Sequence, residues 1–356
     1  MTSGTSLEGN LLAPEHTTAV SVSFDQTISS ITPIAAADSI LTAGLIDTHT
    51  HGGSGFALSA DDDSFEALLT HGRSHGVART LMSTVSASPA EIVNVLSFAD
   101  KKMGRPGFLG IHLEGPFLAA ERCGAHNLSL LRDLTDHELS ELIEHPSLRS
   151  ITIAPERVSI SQVERLVESG VRVALGHTDA EYQTARDYFA AGASILTHAF
   201  NAMRPISSRS PGPVVAALDA GAWIEVIADG VHVSPELCVN LARWAGERLL
   251  LVTDSMSAAA MPDGKYALGD VDVDVSAGVA RRADDKTLAG STLTLDRAVN
   301  NLIDFGIDPG AAIRAATVST AECFGLEVPA VELGKPAEIA VWNSKMQFET
   351  LLLGQS

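Results

Sequence analysis

The feature that most constrains the fold is a repeat of short apolar runs, each followed by a polar or glycine-rich break and an amphipathic helical stretch. From residue 41 onward there are eight such runs: LTAGLIDTHTHG, ARTLMSTVS, FLGIHLEGP, SITIAPE, VRVALGHTDA, ILTHAFNAM, WIEVIADGVHV and LLLVTDSM. Strand alternating with helix predicts a parallel sheet, and eight units predict a (β/α)8 TIM-like barrel of about 250 residues. The runs are almost continuously apolar, as expected of strands covered on both faces.

A doubly wound open sheet is the structural alternative to this barrel. However, no GxGxxG motif follows the first run, and polar residues recur after nearly every run rather than at one switch point. We therefore predict the α/β class, with a barrel over residues 43–326. The VDVDV alternation and the SAG turn predict a β-hairpin insertion at about residues 264–290. Short β-like segments in residues 1–42 and 327–356 predict a small β-sandwich domain built from both termini.

Bulk composition restricts the partners and the compartment. The net charge of −20 argues against nucleic acid or an anionic membrane surface as the main partner. The three cysteines are widely spaced and form no CxxC, so a reducing cytoplasm is expected. We find neither a signal-peptide pattern nor an apolar run near the roughly 20 residues of a membrane span. We therefore expect a cytoplasmic protein that acts on a small molecule.

Polar residues concentrate where the predicted strands end, which is where barrel enzymes place their active sites. In GLIDTHTHGG, His49 and His51 are two residues apart and point to the same face of the strand, together with Asp47. The ends of the other strands carry further acids and imidazoles: Glu114, His177, His198, Asp229, His232 and Asp254. Burying one such group without a partner costs free energy. Together, carboxylates and imidazoles are the ligands of zinc and similar divalent ions. The sequence therefore predicts a metal site.

The motifs GLIDTHTHG, HLEGP, GAHN, LGHTDA, HAFNAM, ADGVHV, VTDSM and LAGST resemble, in order, those of N-acetylglucosamine-6-phosphate deacetylases of the amidohydrolase superfamily. The resemblance spans about residues 43–342. It implies that Glu114, His177 and His198 hold a catalytic divalent metal. Zinc is expected, with iron or manganese as alternatives. Because this chain carries His49 and His51, a second ion bridged by Glu114 fits the pattern, and the number of ions per subunit, one or two, stays open.

The resemblance also implies the reaction, which is hydrolysis of N-acetylglucosamine 6-phosphate to glucosamine 6-phosphate and acetate in amino-sugar catabolism. Asp254 would be the general base and then the general acid, and His126 would stabilise the oxyanion. Arg209 would bind the phosphate, reaching in from a neighbouring subunit of a homodimer. The remaining implied substrate contacts are Asn201 and Ala202 at the phosphate, and His232, Ala125, Leu288, Ala289 and Gly290 at the sugar.

Departures from the family pattern leave alternatives open. Ser210 stands where relatives often carry an acid, and Cys123 precedes GAHN where a basic residue is common. A deacetylase of N-acetylgalactosamine 6-phosphate is one alternative, and another amidohydrolase such as a deaminase or a cyclic-amide hydrolase is a second. A non-catalytic sugar-phosphate sensor on the same scaffold is the third.

Three other histidines have simpler interpretations. His71 and His75 are four residues apart in LLTHGRSHG, and we expect them on an exposed helical face without a metal. His112 is two residues before Glu114, and we expect it to be hydrogen-bonded inside the barrel rather than to bind an ion.

Overall fold

The computed structural model describes residues 5–12 and 17–354. Its strands, in chain order, are β1 (Thr5–Leu12), β2 (Thr17–Phe24), β3 (Ile28–Pro33), β4 (Ile40–Ala43), β5 (Leu45–Thr50), β6 (Gly52–Gly53), β7 (Phe56–Ala57), β8 (Val77–Thr84), β9 (Phe108–Glu114), β10 (Leu148–Ile153), β11 (Arg172–Leu175), β12 (Ile195–Leu196), β13 (Trp223–Ile227), β14 (Leu249–Val252), β15 (Gly264–Leu268), β16 (Val271–Ser276), β17 (Val279–Arg282), β18 (Glu338–Trp342) and β19 (Phe348–Leu353). Its α-helices are α1 (Asp62–Ser74), α2 (Pro89–Asp100), α3 (Asp136–Leu142), α4 (Ile160–Glu168), α5 (Tyr182–Ala190), α6 (Gly212–Ala220), α7 (Pro235–Ala245), α8 (Leu295–Asp304), α9 (Pro309–Ala315) and α10 (Val318–Phe324).

All eight predicted runs form strands of one parallel sheet, in the order β14-β13-β12-β11-β10-β9-β8-β5. The two edge strands meet beyond their carboxyl ends, where the Asp254 amide donates to the carbonyl of His49 at 2.8 Å and the His51 amide donates to the carbonyl of Ser255 at 2.8 Å. The sheet thus closes into a nearly complete barrel with helices outside it. The predicted fold class is confirmed, and the open sheet is excluded.

The barrel interior is filled by apolar side chains below the site. Leu81, Ala174, Ile195 and Leu250 come from four different strands and form one buried cluster. Phe324, at the end of α10, packs against them and is itself buried. Close packing in this layer leaves the carboxyl ends of the strands as the open face of the barrel.

Local sequence determines where several helices begin. Ser88 accepts from the backbone N–H of Glu91, whose carboxylate in turn accepts from the backbone of Ser88, so α2 starts with a capping box. The pairs Thr135–Glu138 and Ser159–Gln162 start α3 and α4 in the same way. These caps satisfy backbone donors that a helix leaves unpaired at its N-terminus.

Strands from both chain ends form a second, six-stranded sheet in the order β19-β18-β4-β1-β2-β3. Its pairs are antiparallel except β1 with β4, so the sheet is mixed. A separate buried cluster that includes Val22, Ile28, Leu41 and Ile339 covers one face. The prediction that strands from both chain termini come together is therefore confirmed. The described strands are hydrogen-bonded as one continuous sheet. Residues 1–4, 13–16 and 355–356 of the predicted domain lie outside the described residues, and its bounds stay a prediction.

The insertion after β14 contains one strand more than a hairpin. β15, β16 and β17 form a three-stranded antiparallel sheet, and the Asp263 carboxylate accepts from the amides of Ala277 and Gly278 in the β16–β17 turn. A small apolar cluster that includes Leu268, Val273 and Met256 joins this sheet to the loop after β14. The insertion therefore lies beside the open face of the barrel. No helix in the described ranges is long and apolar enough to cross a bilayer.

Candidate metal centre and active site

Glu114, the last residue of β9, lies at the centre of the polar groups on the open face. Its Oε1 is 3.1 Å from Nε2 of His198 and 3.3 Å from Nε2 of His177. Its other oxygen, Oε2, is 3.2 Å from Nε2 of His51 and 3.5 Å from Nε2 of His49. The two carboxylate oxygens of Glu114 therefore face two different pairs of histidines.

These contacts define two buried groups with the donor atoms of metal ligands. The first group, site A, contains Glu114, His177 and His198; the second, site B, contains His49, His51, Glu114 and Asp254. Asp254 approaches site B through Oδ1, which is 3.1 Å from Nε2 of His51 and 3.5 Å from Nε2 of His49. The five predicted metal ligands thus come together, and Asp254 joins them.

Hydrogen bonds to Nδ1 fix the orientation of two of these rings. Nδ1 of His177 is 2.9 Å from the carbonyl oxygen of Arg122, and Nδ1 of His49 is 3.1 Å from Oε2 of Glu225. A carbonyl and a carboxylate only accept, so both Nδ1 atoms carry the proton. In the neutral ring each Nε2 therefore presents a lone pair to the site, as a metal ligand must.

The geometry of both sites fits a metal ion. Two ligands of one tetrahedral zinc, each at about 2.0–2.1 Å, lie about 3.3 Å apart. The Nε2 atoms of His177 and His198 are 3.1 Å apart, close to that ligand-to-ligand separation. Nε2 of His49 is buried without a hydrogen-bond partner. A cation between these atoms accounts for both observations.

Electrostatics in the site favour positive charge. Burial opposes protonation of His51, but its hydrogen bonds to Asp254 and Glu114 outweigh that effect and raise its pKa to about 9. Burial likewise opposes ionisation of Glu114, yet the charge of His49 and the contacts with His126, His177 and His198 hold its pKa well below the usual value. Burial is also the main opposing influence on Asp254, and the charge of His49 keeps the pKa of this carboxyl low. Both carboxylates are therefore anionic acceptors for a cation.

His126, from the loop after β9, points a hydrogen-bond donor towards the same centre. Its Nδ1 accepts from the backbone N–H of Ser86 at 3.1 Å and lies 2.8 Å from the Ser86 hydroxyl. Because a backbone amide only donates, the neutral ring carries its proton on Nε2. That atom is 3.4 Å from Oε2 of Glu114. The ring is thus held with an N–H directed towards Glu114 at the edge of the cavity.

The backbone is strained where several strands end at the site. His177, His198, Ala202 and Asp254 have φ angles of 46°, 24°, 48° and 48°. Non-glycine residues adopt this left-handed region rarely and at a cost of about 1–3 kcal/mol each when it is strained. Such strain persists only where surrounding contacts enforce it, and it is concentrated at functional sites.

A cavity of about 290 Å³ opens above the two sites. Its volume is close to the lower end of the range for small-molecule sites. It is lined by most of the residues predicted to contact substrate, together with His126: Ala125, Asn201, Ala202, His232, Leu288 and Gly290. Ala289 is fully buried beside it, and Arg209 is exposed and does not line the cavity. Most of the predicted substrate contacts thus come together around one cavity of one chain, whereas Arg209, the arginine predicted to bind phosphate, lies away from it.

Sequence analysis missed two supporting residues, Glu225 and Ser86, and the contact of a third, Asp229, with His232. Glu225 lies inside β13, and besides holding His49 its Oε2 accepts from the backbone N–H of His198 at 3.2 Å. Ser86 orients His126. Asp229 was noted only as a strand end, but its Oδ2 lies 2.6 Å from Nδ1 of His232 and so directs the other ring nitrogen into the cavity.

The simpler interpretations of the other histidines are confirmed in part. His112 bonds to Oγ of Ser83 at 2.9 Å and to Oγ1 of Thr152 at 2.8 Å, as expected of an interior residue. The expectation for His71 was wrong, because this ring is buried, lies 2.9 Å from Oγ of Ser54 and packs on Gly53. It anchors the loop that follows the paired histidines.

The family profile, the related sequences and the related structures all place this chain beside the same group of proteins. The amidohydrolase family profile matches residues 40–352. The N-acetylgalactosamine-6-phosphate deacetylase of Escherichia coli O157:H7 is 37% identical over 344 residues, which cover 92% of this chain and 91% of that protein. The N-acetylglucosamine-6-phosphate deacetylase of Vibrio furnissii is 35% identical over 321 residues, which cover 87% of this chain and 80% of that protein. A Mycobacterium smegmatis N-acetyl-D-glucosamine-6-phosphate deacetylase variant, solved in complex with N-acetyl-D-glucosamine-6-phosphate, has a TM-score of 0.94 at 34% identity, over 99% of this chain and 98% of that one.

Proposed function

This chain belongs to the amidohydrolase family, and from that premise we propose that it is a metal-dependent deacetylase of N-acetylhexosamine 6-phosphates. The proposed substrate is N-acetylglucosamine 6-phosphate, which would yield glucosamine 6-phosphate and acetate in amino-sugar catabolism. The observation that carries the proposal is the position of Glu114 between two pairs of histidines, with Asp254 and His126 beside it. The motif resemblance is confirmed by the family match.

Site A and site B would each hold one divalent ion, and zinc is the proposed metal because imidazole and carboxylate ligands suit it. When bound, such an ion supplies a Lewis acid for the acyl carbonyl and lowers the pKa of a water from ~15.7 towards ~7. Since His49 and His51 are both present in site B, we propose two ions per chain, with Glu114 belonging to both sets of ligands.

The residues of this chain would carry the proton transfers. Asp254 accepts a proton from the attacking water, and a new bond forms between the water oxygen and the acyl carbon. Nε2–H of His126 donates to the carbonyl oxygen as negative charge develops there. Asp254 then returns the proton to the amide nitrogen as the C–N bond breaks, which gives an amine and a carboxylic acid; the proton of the acid passes to the amine, so the products are an ammonium group and a carboxylate. Asp254 is suited to both steps because it is anionic, lines the cavity and has its Oδ1 3.1 Å from Nε2 of His51.

The phosphate would be held by a residue from outside this cavity. Among the described residues, the cavity lining contains no lysine or arginine, and the rim residue Asp270 is acidic. Asn201 and the backbone of Ala202 offer neutral donors only. We therefore propose that Arg209, which is exposed on its own subunit, completes the site of a neighbouring subunit in a homodimer.

A second candidate substrate is N-acetylgalactosamine 6-phosphate, because a deacetylase of that epimer is 37% identical over 92% of this chain. The sensor alternative is disfavoured, since a sugar-phosphate receptor has no use for a buried Asp254 beside the histidines. The carboxylated lysine of many cyclic-amide hydrolases also has no counterpart here, because Glu114 occupies the end of the third barrel strand.

The test is a kinetic comparison of four sugars with metal-loaded protein: N-acetylglucosamine and N-acetylgalactosamine, each with and without the 6-phosphate. We expect acetate release from the phosphorylated sugars at a kcat/KM at least tenfold above that of the free sugars. The kcat/KM values of the two phosphorylated epimers then show which of them is the better substrate. Equal turnover of phosphorylated and free sugars would refute a phosphate site, and no acetate release at all would refute the deacetylase.

A further inference from the structure

A second cavity lies directly beside the first. It is an open groove of about 680 Å³ between α2, the loop after β5 and the β15–β16 turn. Three residues line both spaces: His51, Val85 and Leu268. Because His51 belongs to site B, the groove begins next to the reacting centre rather than at a remote surface.

The two spaces are separated by a thin apolar partition. Val85 follows β8, and it packs with the cluster of the insertion that contains buried Leu268. At Gly269 a Cβ atom would lie 2.6 Å from Cγ2 of Val85, so the side chain of Val85 rests against the turn backbone. Two side chains, one from the barrel and one from the insertion, thus close the groove off from the first cavity.

The partition lies on the acyl side of the proposed substrate. Val85 directly precedes Ser86, which holds His126, and His126 is the donor to the carbonyl oxygen. Asn201, proposed at the phosphate, and His232, proposed at the sugar, follow other strands of the barrel, β12 and β13. An acyl carbon placed between His126 and His51 would have Val85 and Leu268 among the apolar side chains that line the cavity around its alkyl substituent.

Beyond the partition the groove has the character of an alkyl site. Its lining includes Leu58, Ala60, Ala87, Ile92 and Val95, together with polar residues such as Glu91 and Asn94. Contact with such side chains removes the apolar surface of a methylene group from water, which is favourable. The partition, not the chemistry of the groove, is what keeps an acyl chain out of it.

We propose that Val85 and Leu268 determine acyl-chain length, restricting the wild-type enzyme to short N-acyl groups, and that opening this partition creates activity on longer N-acyl hexosamine phosphates. This inference rests on the proposed deacetylase function. The reaction is the same hydrolysis, in which water adds to the acyl carbon, the C–N bond breaks, and the two protons of the water end on the nitrogen, so the amine leaves as an ammonium group together with a longer carboxylate.

The experiment measures release of free amine from N-acetyl-, N-propanoyl- and N-butanoylglucosamine 6-phosphate. The ratio of kcat/KM for butanoyl to acetyl substrate is the readout, which is insensitive to the fraction of folded enzyme. We expect the wild-type ratio to be about one-tenth or lower, since a hydrophobic pocket discriminates a methylene by about tenfold or more. Val85→Ala and, independently, Leu268→Ala should each raise the ratio about tenfold or more.

The matched control is Val95→Ala, which widens the groove without touching the partition and should leave the ratio within twofold of wild type. A wild-type enzyme that cleaves butanoyl and acetyl substrates equally well would overturn the proposal, as would an unchanged ratio in both partition variants. If the acetyl substrate is hydrolysed normally and either of those two results is found, only the acyl-length inference is overturned and the deacetylase function stands. Absence of acetyl turnover instead refutes the deacetylase on which it rests.

Discussion

Glu225 offers a sharp test of how the barrel prepares site B. Its Oε2 accepts both from Nδ1 of His49 at 3.1 Å and from the backbone N–H of His198 at 3.2 Å, so one oxygen holds elements of both metal sites. The substitution Glu225→Gln keeps the size of the side chain but removes its charge. If the amide oxygen takes the place of Oε2, both hydrogen bonds persist as neutral ones. If the amide nitrogen takes the place of Oε2 instead, its N–H group faces the N–H donors of His49 and His198, and neither hydrogen bond forms.

The expected magnitude follows from that exchange. A hydrogen bond to a charged group contributes about 1.5–3 kcal/mol and a neutral one about 0.5–1.5 kcal/mol, so the loss is about 1–2 kcal/mol. This corresponds to a roughly 5–30-fold loss of affinity for an ion at site B. It overlaps the 10–100-fold that partners of metal-binding histidines typically contribute. Site A should be affected less, because the Glu225 contact there is to the backbone of His198 only.

The assay is a competition titration of metal-free protein against a chelating dye, which resolves two affinities, combined with thermal unfolding. The control is Thr152→Val, since Thr152 is equally buried inside the barrel and bonds to His112 and Thr197 rather than to a metal ligand. We expect Glu225→Gln to weaken one ion selectively and the control to weaken neither. Wild-type affinities for both ions in Glu225→Gln would refute the positioning role.

Three further predictions concern catalysis, substrate binding and pH. Asp254→Asn should lower kcat by about 10²–10⁴-fold, because the proton carrier is lost, while metal analysis still finds an ion at site A; near-normal turnover would contradict the assignment. Arg209→Ala should raise KM for phosphorylated sugar with little change in kcat, and mixing it with an Asp254→Asn variant should restore activity in heterodimers; an unchanged KM rules the contact out. Because the pKa of metal-free His51 is raised to about 9 and an ion needs the neutral ring, affinity at site B should rise up to about tenfold per pH unit between pH 6 and 9; a pH-independent affinity would contradict this.

The parts of the site that follow strand ends were predictable from sequence. His49, His51 and Glu114 lie where an apolar run stops, and period-two alternation already places the two histidines on one face. His177, His198 and Asp254 follow the same rule on other strands. Parallel strands bring their carboxyl ends to one edge, so the topology alone gathers these residues without any knowledge of loop conformation.

The residues that support the ligands were not predictable in this way. Glu225 stands inside an apolar strand, and its position in WIEVI does not reveal whether it faces His49 or the helices, since that depends on barrel register. Ser86 is in a loop whose path depends on its contact with His126. Similarly, the VDVDV alternation shows strands in the insertion but not that a third strand, β15, pairs with them. These features depend on contacts between distant segments.

The most direct test of the central claim is metal content measured together with hydrolysis. Elemental analysis of the purified protein should find at least one divalent ion per chain. Removal by a chelator should abolish acetate release from N-acetylglucosamine 6-phosphate in step with the loss of the ion, and zinc should restore it. Undiminished acetate release from protein that holds less than about one-tenth of an ion per chain would contradict the account.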